Sequence, residues 1–137
     1  MYPTELVSPM KAELTTNGFE ELLTPEEVDN AIKAPGTTLL FINSVCGCSA
    51  GTARPGVVMA IRNTNKKPNH LVTSFAGYDI DAVKQARSHL LPYPPSSPSI
   101  ALLKDGKVVH MIERHMIEGR PAQMIAANLL QAFETYC

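Results

Sequence analysis

Apolar and polar residues follow two rhythms along this chain. At helical spacing, Leu6, Val7, Met10 and Leu14 share one side of a first segment, residues 4–17, which Asn17-Gly18 ends. A second helix opens at Thr24-Pro25-Glu26-Glu27. Thr24 stands as N-cap, Pro25 at the first helical position, and Glu27 completes a capping box. It turns Val28, Ala31 and Ile32 inward and stops at Pro35-Gly36. The unbroken run Thr37-Thr38-Leu39-Leu40-Phe41-Ile42 then reads as a fully buried strand over 38–43. Residues 52–61 return to helical spacing, with a kink expected near Pro55.

Beyond the polar loop 63–69, His70–Ala76 reads as a second main strand, and Asp79 caps a helix over 80–90 carrying Ile80, Val83 and Leu90. Pro92–Pro98 holds too many prolines for regular structure. Residues 99–112 form a β-hairpin about Asp105-Gly106, and Gly119-Arg120-Pro121 opens a last helix with Ile125, Leu129, Phe133 and Tyr136 on one face. A βαβ unit, a further helix and a hairpin make an α/β fold, three layers α/β/α with a central mixed sheet. No linker or repeat divides it, so residues 1–137 read as a single domain with an N-terminal helical extension over about 1–35.

Composition narrows the function. The 137 residues are 45% hydrophobic and 18% charged with net charge −1, which gives no basic excess for nucleic acid or an anionic membrane. No apolar run is long enough to span a bilayer, and Met1-Tyr2-Pro3-Thr4-Glu5 lacks the basic start of a signal peptide. A cytoplasmic protein is expected, in a compartment that keeps thiols reduced. Three cysteines cannot form a disulfide framework there, so a close pair points to catalysis or metal binding.

That pair lies in Asn43-Ser44-Val45-Cys46-Gly47-Cys48-Ser49-Ala50-Gly51, where the buried strand hands over to a helix. Free N–H groups at a helix N-terminus favour negative charge, so a thiol there is held as thiolate, the form that attacks disulfides and binds metals. Cys46, first in the turn, is expected to be the more exposed and Cys48 the more shielded. Gly47 is expected to let the backbone bend and a substrate approach. Arg54 is either near the thiolate or a solvated helix residue, and the Ser49 and Thr52 hydroxyls either reach the thiolate or cap the helix. Cys137 reads as an incidental exposed thiol.

The element order resembles the thioredoxin arrangement, with the cysteines at the first strand–helix junction and Pro98 just before the hairpin strand. That resemblance implies a cis Ser97–Pro98 bond lying against the cysteine turn. Thioredoxins, however, carry Cys-x-x-Cys after a tryptophan, and this chain has no tryptophan. The Cys-Gly-Cys turn in the run Ser44–Pro55, with Tyr93-Pro94-Pro95-Ser96-Ser97-Pro98-Ser99 later on, resembles the bacilliredoxins over essentially the whole chain. The resemblance implies a thiol–disulfide oxidoreductase that removes bacillithiol from protein mixed disulfides, Cys46 attacking and Cys48 resolving. Gly47, Ser97 and Pro98 would meet the substrate. Bacillithiol would serve as co-substrate with no tightly bound cofactor, and bacillithiolated clients and an upstream bacillithiol disulfide reductase would be the partners. Leu40 stands where thioredoxins carry a buried carboxylate that deprotonates the second cysteine, which favours a monothiol route through Cys46.

The one-residue spacing closes a smaller disulfide ring than Cys-x-x-Cys does. Departure from preferred disulfide geometry stores strain of about several kcal/mol. Since about 1.4 kcal/mol corresponds to about 30 mV, the oxidised pair is expected to be more easily reduced than thioredoxin's. Two other functions use the same cysteines: general thiol–disulfide isomerisation, and metal binding or delivery. For the latter, His70, His89, His110 and His115 are scattered over predicted strand, helix and loop and offer no second ligand pair.

Overall fold

The computed structural model describes residues 1–137. Its elements are α1 (Thr4–Thr15), β1 (Glu20–Glu21), α2 (Pro25–Lys33), β2 (Thr37–Asn43), a π-helical turn (Ser49–Ala53) running into α3 (Arg54–Asn63), β3 (His70–Phe75), α4 (Ile80–Ser88), β4 (Ser99–Lys104), β5 (Lys107–Ile112), α5 (Arg114–Ile117) and α6 (Ala122–Tyr136). The five strands stand in the order β1-β3-β2-β4-β5. β3 runs parallel to β1 and β2, while β4 and β5 are antiparallel to their neighbours.

Strand β2 is central, and all seven of its residues are buried. Successive side chains point to opposite faces of a sheet. Leu39 and Phe41 therefore join Val57 and Ile61 of α3, Leu129 and Phe133 of α6, and Leu14 of α1. Leu40 and Ile42 join Val28 and Ile32 of α2 and Val83 and Ala86 of α4. The two clusters give the three layers. At α2 the capping box is complete: Glu27 N–H donates to Thr24 Oγ1 at 3.2 Å, and Thr24 N–H donates to Glu27 Oε1 at 3.1 Å. The hairpin turns at Asp105 and Gly106, whose φ angles of 50° and 82° match the type I′ turn that suits twisted strands.

The end of the sheet away from the cysteines is knitted together by side chains. Gly36 N–H donates to Asp105 Oδ1 at 2.9 Å, and Asp105 N–H returns a bond to the Gly36 carbonyl at 2.9 Å. Asn69 Oδ1 accepts from Thr37 N–H at 2.9 Å, tying the start of β2 to the loop before β3.

Several elements differ from expectation. The first 35 residues are not wholly helical, because Glu20 and Glu21 pair with Val72 and Thr73 and extend the sheet. Two residues with no apolar pattern become a strand only through their partner. Asp79 does not cap α4: its carboxylate accepts from Phe75 N–H at 3.0 Å and from Lys11 Nζ at 3.0 Å, so it secures the end of β3 and docks α1. The buried face of α4 is Ala82, Val83 and Ala86, and Ile80 is exposed. The irregularity expected near Pro55 is the π-helical turn just before it, and Pro55 itself sits in the first turn of α3, where its missing N–H costs nothing.

Candidate active site

The site is built outward from the end of β2. Asn43 is buried, and its Oδ1 accepts from Ser44 N–H at 2.8 Å, Ser49 Oγ at 3.1 Å and Arg54 Nη1 at 2.9 Å. Ser44 turns its hydroxyl back to accept from Cys46 N–H at 3.0 Å. The Cys46 carbonyl then receives Ser49 N–H at 2.9 Å and Ala50 N–H at 3.2 Å, which starts the helical turn. Cys46 thereby occupies a helix N-terminus, where the free donors favour thiolate.

Arg54 locks this turn from behind. Only 1% exposed, it donates from Nη1 to the Ser44 carbonyl at 2.9 Å and to Ser49 Oγ at 3.0 Å, and from Nε to Glu13 Oε2 at 3.0 Å. It is thus neither solvated nor bonded to a sulfur: it fastens α1, the end of β2 and the π-helical turn together. The Ser49 hydroxyl belongs to the same network, and Thr52 Oγ1 donates to the Arg120 carbonyl at 2.7 Å, so neither hydroxyl reaches a thiol.

Both cysteines of the turn are reduced and half-buried, with sulfurs 2.7 Å apart. Their environments push them in opposite directions. A hydrogen bond from the Cys48 thiol holds the Cys46 thiol below the ordinary range, working against burial, with help from the Cys48 and Ser49 N–H groups and the Arg114 charge. Burial, followed by the bond to Cys46, pushes Cys48 up to about 11. One thiol is therefore prepared to ionise, and the other keeps its proton and donates a hydrogen bond to it. Cys48 packs against the cluster of α3 and α6, while Leu40 belongs to the cluster on the other face of the sheet. Leu40 thus does not stand behind Cys48; the nearly buried Asp79 carboxylate is held by Lys11 and Phe75 N–H, and the Glu118 charge is felt at Cys48.

A groove of about 510 Å³ opens beside Cys46, bordered by Ser44 and Val45, by Ala76 and Gly77 after β3, and by Ser97 and Arg114. The Ser97–Pro98 peptide is cis, as is Leu91–Pro92. Gly47 is exposed and its φ is not positive; a Cβ there would meet nothing within 4 Å. The bend therefore does not depend on glycine, and what Gly47 leaves is open space on the outer side of the turn. No sequence motif marks Arg114; the end of β5 carries it to the groove, where Nη1 donates to the Ser97 carbonyl at 3.2 Å. Metal ligands are not gathered here: no group of three or more His, Cys, Asp or Glu is placed to hold an ion. His89 pairs with Asp29 at 2.7 Å and His110 with Asn128 at 2.6 Å, both away from the cysteines, and Cys137 is exposed at the end of α6.

A family model described as disulphide isomerase matches residues 2–137. A bacilliredoxin of Cytophaga hutchinsonii is 58% identical over 134 residues, covering 98% of each chain. The chain belongs to the bacilliredoxin family. A second family member, from Geobacillus kaustophilus, is 50% identical over 99% of this chain and 94% of its own. In fold, the chain is similar to oxidised mitochondrial thioredoxin 3 of Saccharomyces cerevisiae, with a TM-score of 0.60 at 16% identity, covering 90% of this chain and 98% of that one. As a bacilliredoxin with a thioredoxin-like fold and a Cys-x-Cys pair, the protein is a thiol–disulfide oxidoreductase. No helix is long and apolar enough to cross a membrane.

Proposed function

We propose that the protein strips bacillithiol from mixed disulfides on client proteins in the cytoplasm. The inequality of the two thiols carries the assignment of roles: Cys46 is held toward thiolate at the groove, while Cys48 keeps its proton. The Cys46 thiolate attacks the bacillithiol sulfur of the mixed disulfide. An S–S bond forms between Cys46 and bacillithiol, the client S–S bond breaks, and the client sulfur leaves with the electron pair and takes up a proton. A second bacillithiol thiolate then attacks the adduct. It releases the Cys46 thiolate and forms bacillithiol disulfide, which an upstream reductase returns to thiol.

With Cys48 pushed up to about 11 and no carboxylate hydrogen-bonded to its thiol, this monothiol cycle is favoured over turnover through a Cys46–Cys48 disulfide. Bacillithiol enters as co-substrate and no tightly bound cofactor is required. Ser97 borders the groove where the disulfide would enter, the buried Pro98 follows it without lining the groove, and Gly47 leaves the outer approach open. The description of the family model favours a second reading, disulfide isomerisation in clients, which would begin with the same attack by Cys46.

Intact mass spectrometry with a bacillithiolated client tests the assignment. Cys48→Ala should accumulate one bacillithiol adduct, and Cys46→Ala should take none and leave the client modified. Adduct formation on Cys46→Ala, or none on either variant, refutes it. Recovery of activity from a scrambled-disulfide client without bacillithiol would establish the isomerase reading.

A further inference from the structure

The groove beside Cys46 has an uneven charge. Two arginines, Arg87 and Arg114, are among its lining residues and no Asp or Glu is, although Glu118 shares the Arg114 charge. Arg114 is anchored there: Nη1 holds the Ser97 carbonyl at 3.2 Å and Nε holds Glu118 Oε1 at 2.6 Å. Arg87 comes from α4 on the other side and has no such anchor. Its Nε is buried with no hydrogen-bond partner, and the residue takes part in none of the ion pairs of the protein. A buried polar group without a partner in a native fold calls for an explanation. A guanidinium is strongly suited to one kind of guest, because its planar fork matches a carboxylate in bidentate fashion. The groove's 510 Å³ falls within the range of about 300–1,000 Å³ typical of small-molecule sites.

We propose that Arg87 and Arg114 form a carboxylate-binding subsite for the small-molecule half of the disulfide that Cys46 attacks. This rests on Cys46 being the nucleophile. The arginines draw a thiol-derived group bearing a carboxylate into the groove and hold its sulfur against Cys46. They also offset the repulsion between that carboxylate and the thiolate. Arg87 is the arginine that selects for charge, since no carboxylate of the protein already pairs with it. Arg114 in addition contributes to the ionisation of Cys46.

The test uses full-length reduced protein carrying Cys48→Ala, so that the adduct persists. Three symmetrical disulfides of similar length serve as probes: dithiodipropionate with carboxylate ends, hydroxyethyl disulfide with neutral ends, and cystamine with ammonium ends. Cys46 adduct formation is followed by quenched mass spectrometry, and each rate is divided by that of a free small thiol with the same probe. The carboxylate probe should react fastest and cystamine slowest. Arg87→Gln should lower the carboxylate-to-neutral ratio by about tenfold, the order expected for one charged hydrogen-bonded pair, while leaving the neutral rate nearly unchanged. Added salt on the Arg87-intact protein should erase the preference likewise, which keeps the test usable if Arg87→Gln folds poorly.

Equal normalised rates for the three probes, or a preference that survives both Arg87→Gln and salt, overturn the subsite. A neutral probe that forms no adduct overturns the role of Cys46 itself, and the subsite with it. Peptide mixed disulfides locate the source of the charge: the preference should follow a carboxylate on the small half. A preference that follows only an acidic peptide half overturns the proposal in favour of client docking.

Discussion

Replacing Arg54 with methionine removes the tie between three segments while filling nearly the same space. Nη1 serves three buried acceptors: Asn43 Oδ1, the Ser44 carbonyl and Ser49 Oγ. Asn43 Oδ1 keeps Ser44 N–H and Ser49 Oγ as donors, so the variant spares it. The Ser44 carbonyl loses its guanidinium donor, and an orphaned buried acceptor costs about 1–3 kcal/mol. Glu13 is 47% exposed and returns to water, so its lost ion pair adds only about 0–1 kcal/mol. Methionine also removes the cost of burying a charge, which offsets part of the loss. The net expectation is a loss of about 2 kcal/mol, or a fall of about 1 M in the urea midpoint for a slope of about 2 kcal/mol/M.

A second readout separates a loose turn from a merely weaker fold. Cys46 is oriented by its N–H bond to Ser44 and by the two N–H groups on its carbonyl. With the Ser44 carbonyl released, the thiolate absorbance of Cys46 should titrate closer to an ordinary thiol in Arg54→Met. Arg54→Lys, which restores one donor and the charge, should recover part of both effects. A midpoint shift near zero, together with an unaltered Cys46 titration, would refute the view that Arg54 holds the turn.

Alkylation should separate the two thiols by pH. Cys46 reacts at a pH below that of an ordinary thiol because its thiolate is favoured, and Cys48 stays protonated until the pH nears 11; peptide mass mapping after iodoacetamide pulses checks the order, and simultaneous labelling would contradict it. Gly56→Ala tests the packing of α3 on α6: the added Cβ would stand 2.8 Å from Ile125 Cβ and 3.0 Å from the Ala122 carbonyl. Overpacking of about 1–3 kcal/mol should outweigh the gain of about 1 kcal/mol in helix propensity, so thermal melts should show a lower midpoint; a raised midpoint would mean that the helices separate at little cost.

The parts of the fold that were legible in the sequence are those where one local rule acts without competition. The run 37–42 could only be a buried strand, Asp105-Gly106 only a tight hairpin turn, and Thr24 to Glu27 carries a complete cap. The cysteine turn announced itself by its place between strand and helix. What was not legible depends on partners distant in the chain. Glu20-Glu21 is a strand only because β3 lies beside it. Asp79 resembles an N-cap until Lys11, brought in by α1, and Phe75 N–H claim its carboxylate. Arg54 looks solvated because a lone arginine in a helix usually is; its burial follows from Asn43, Ser44 and Ser49 converging on one point. Arg114 and Arg87 reach the groove from elements remote in sequence from the cysteines, and no spacing rule joins them.

The knitting of Gly36, Thr37, Asn69 and Asp105 has a practical consequence for redesign. It divides the sheet into an anchoring end and a reacting end, with β2 as the only strand that runs from this knot into the cysteine turn. Cross-links, loop grafts or reporter insertions between Thr64 and Pro68 would load the anchoring end alone. The chemistry of the opposite end can then be retuned in a scaffold stabilised independently, one end carrying endurance and the other carrying reactivity.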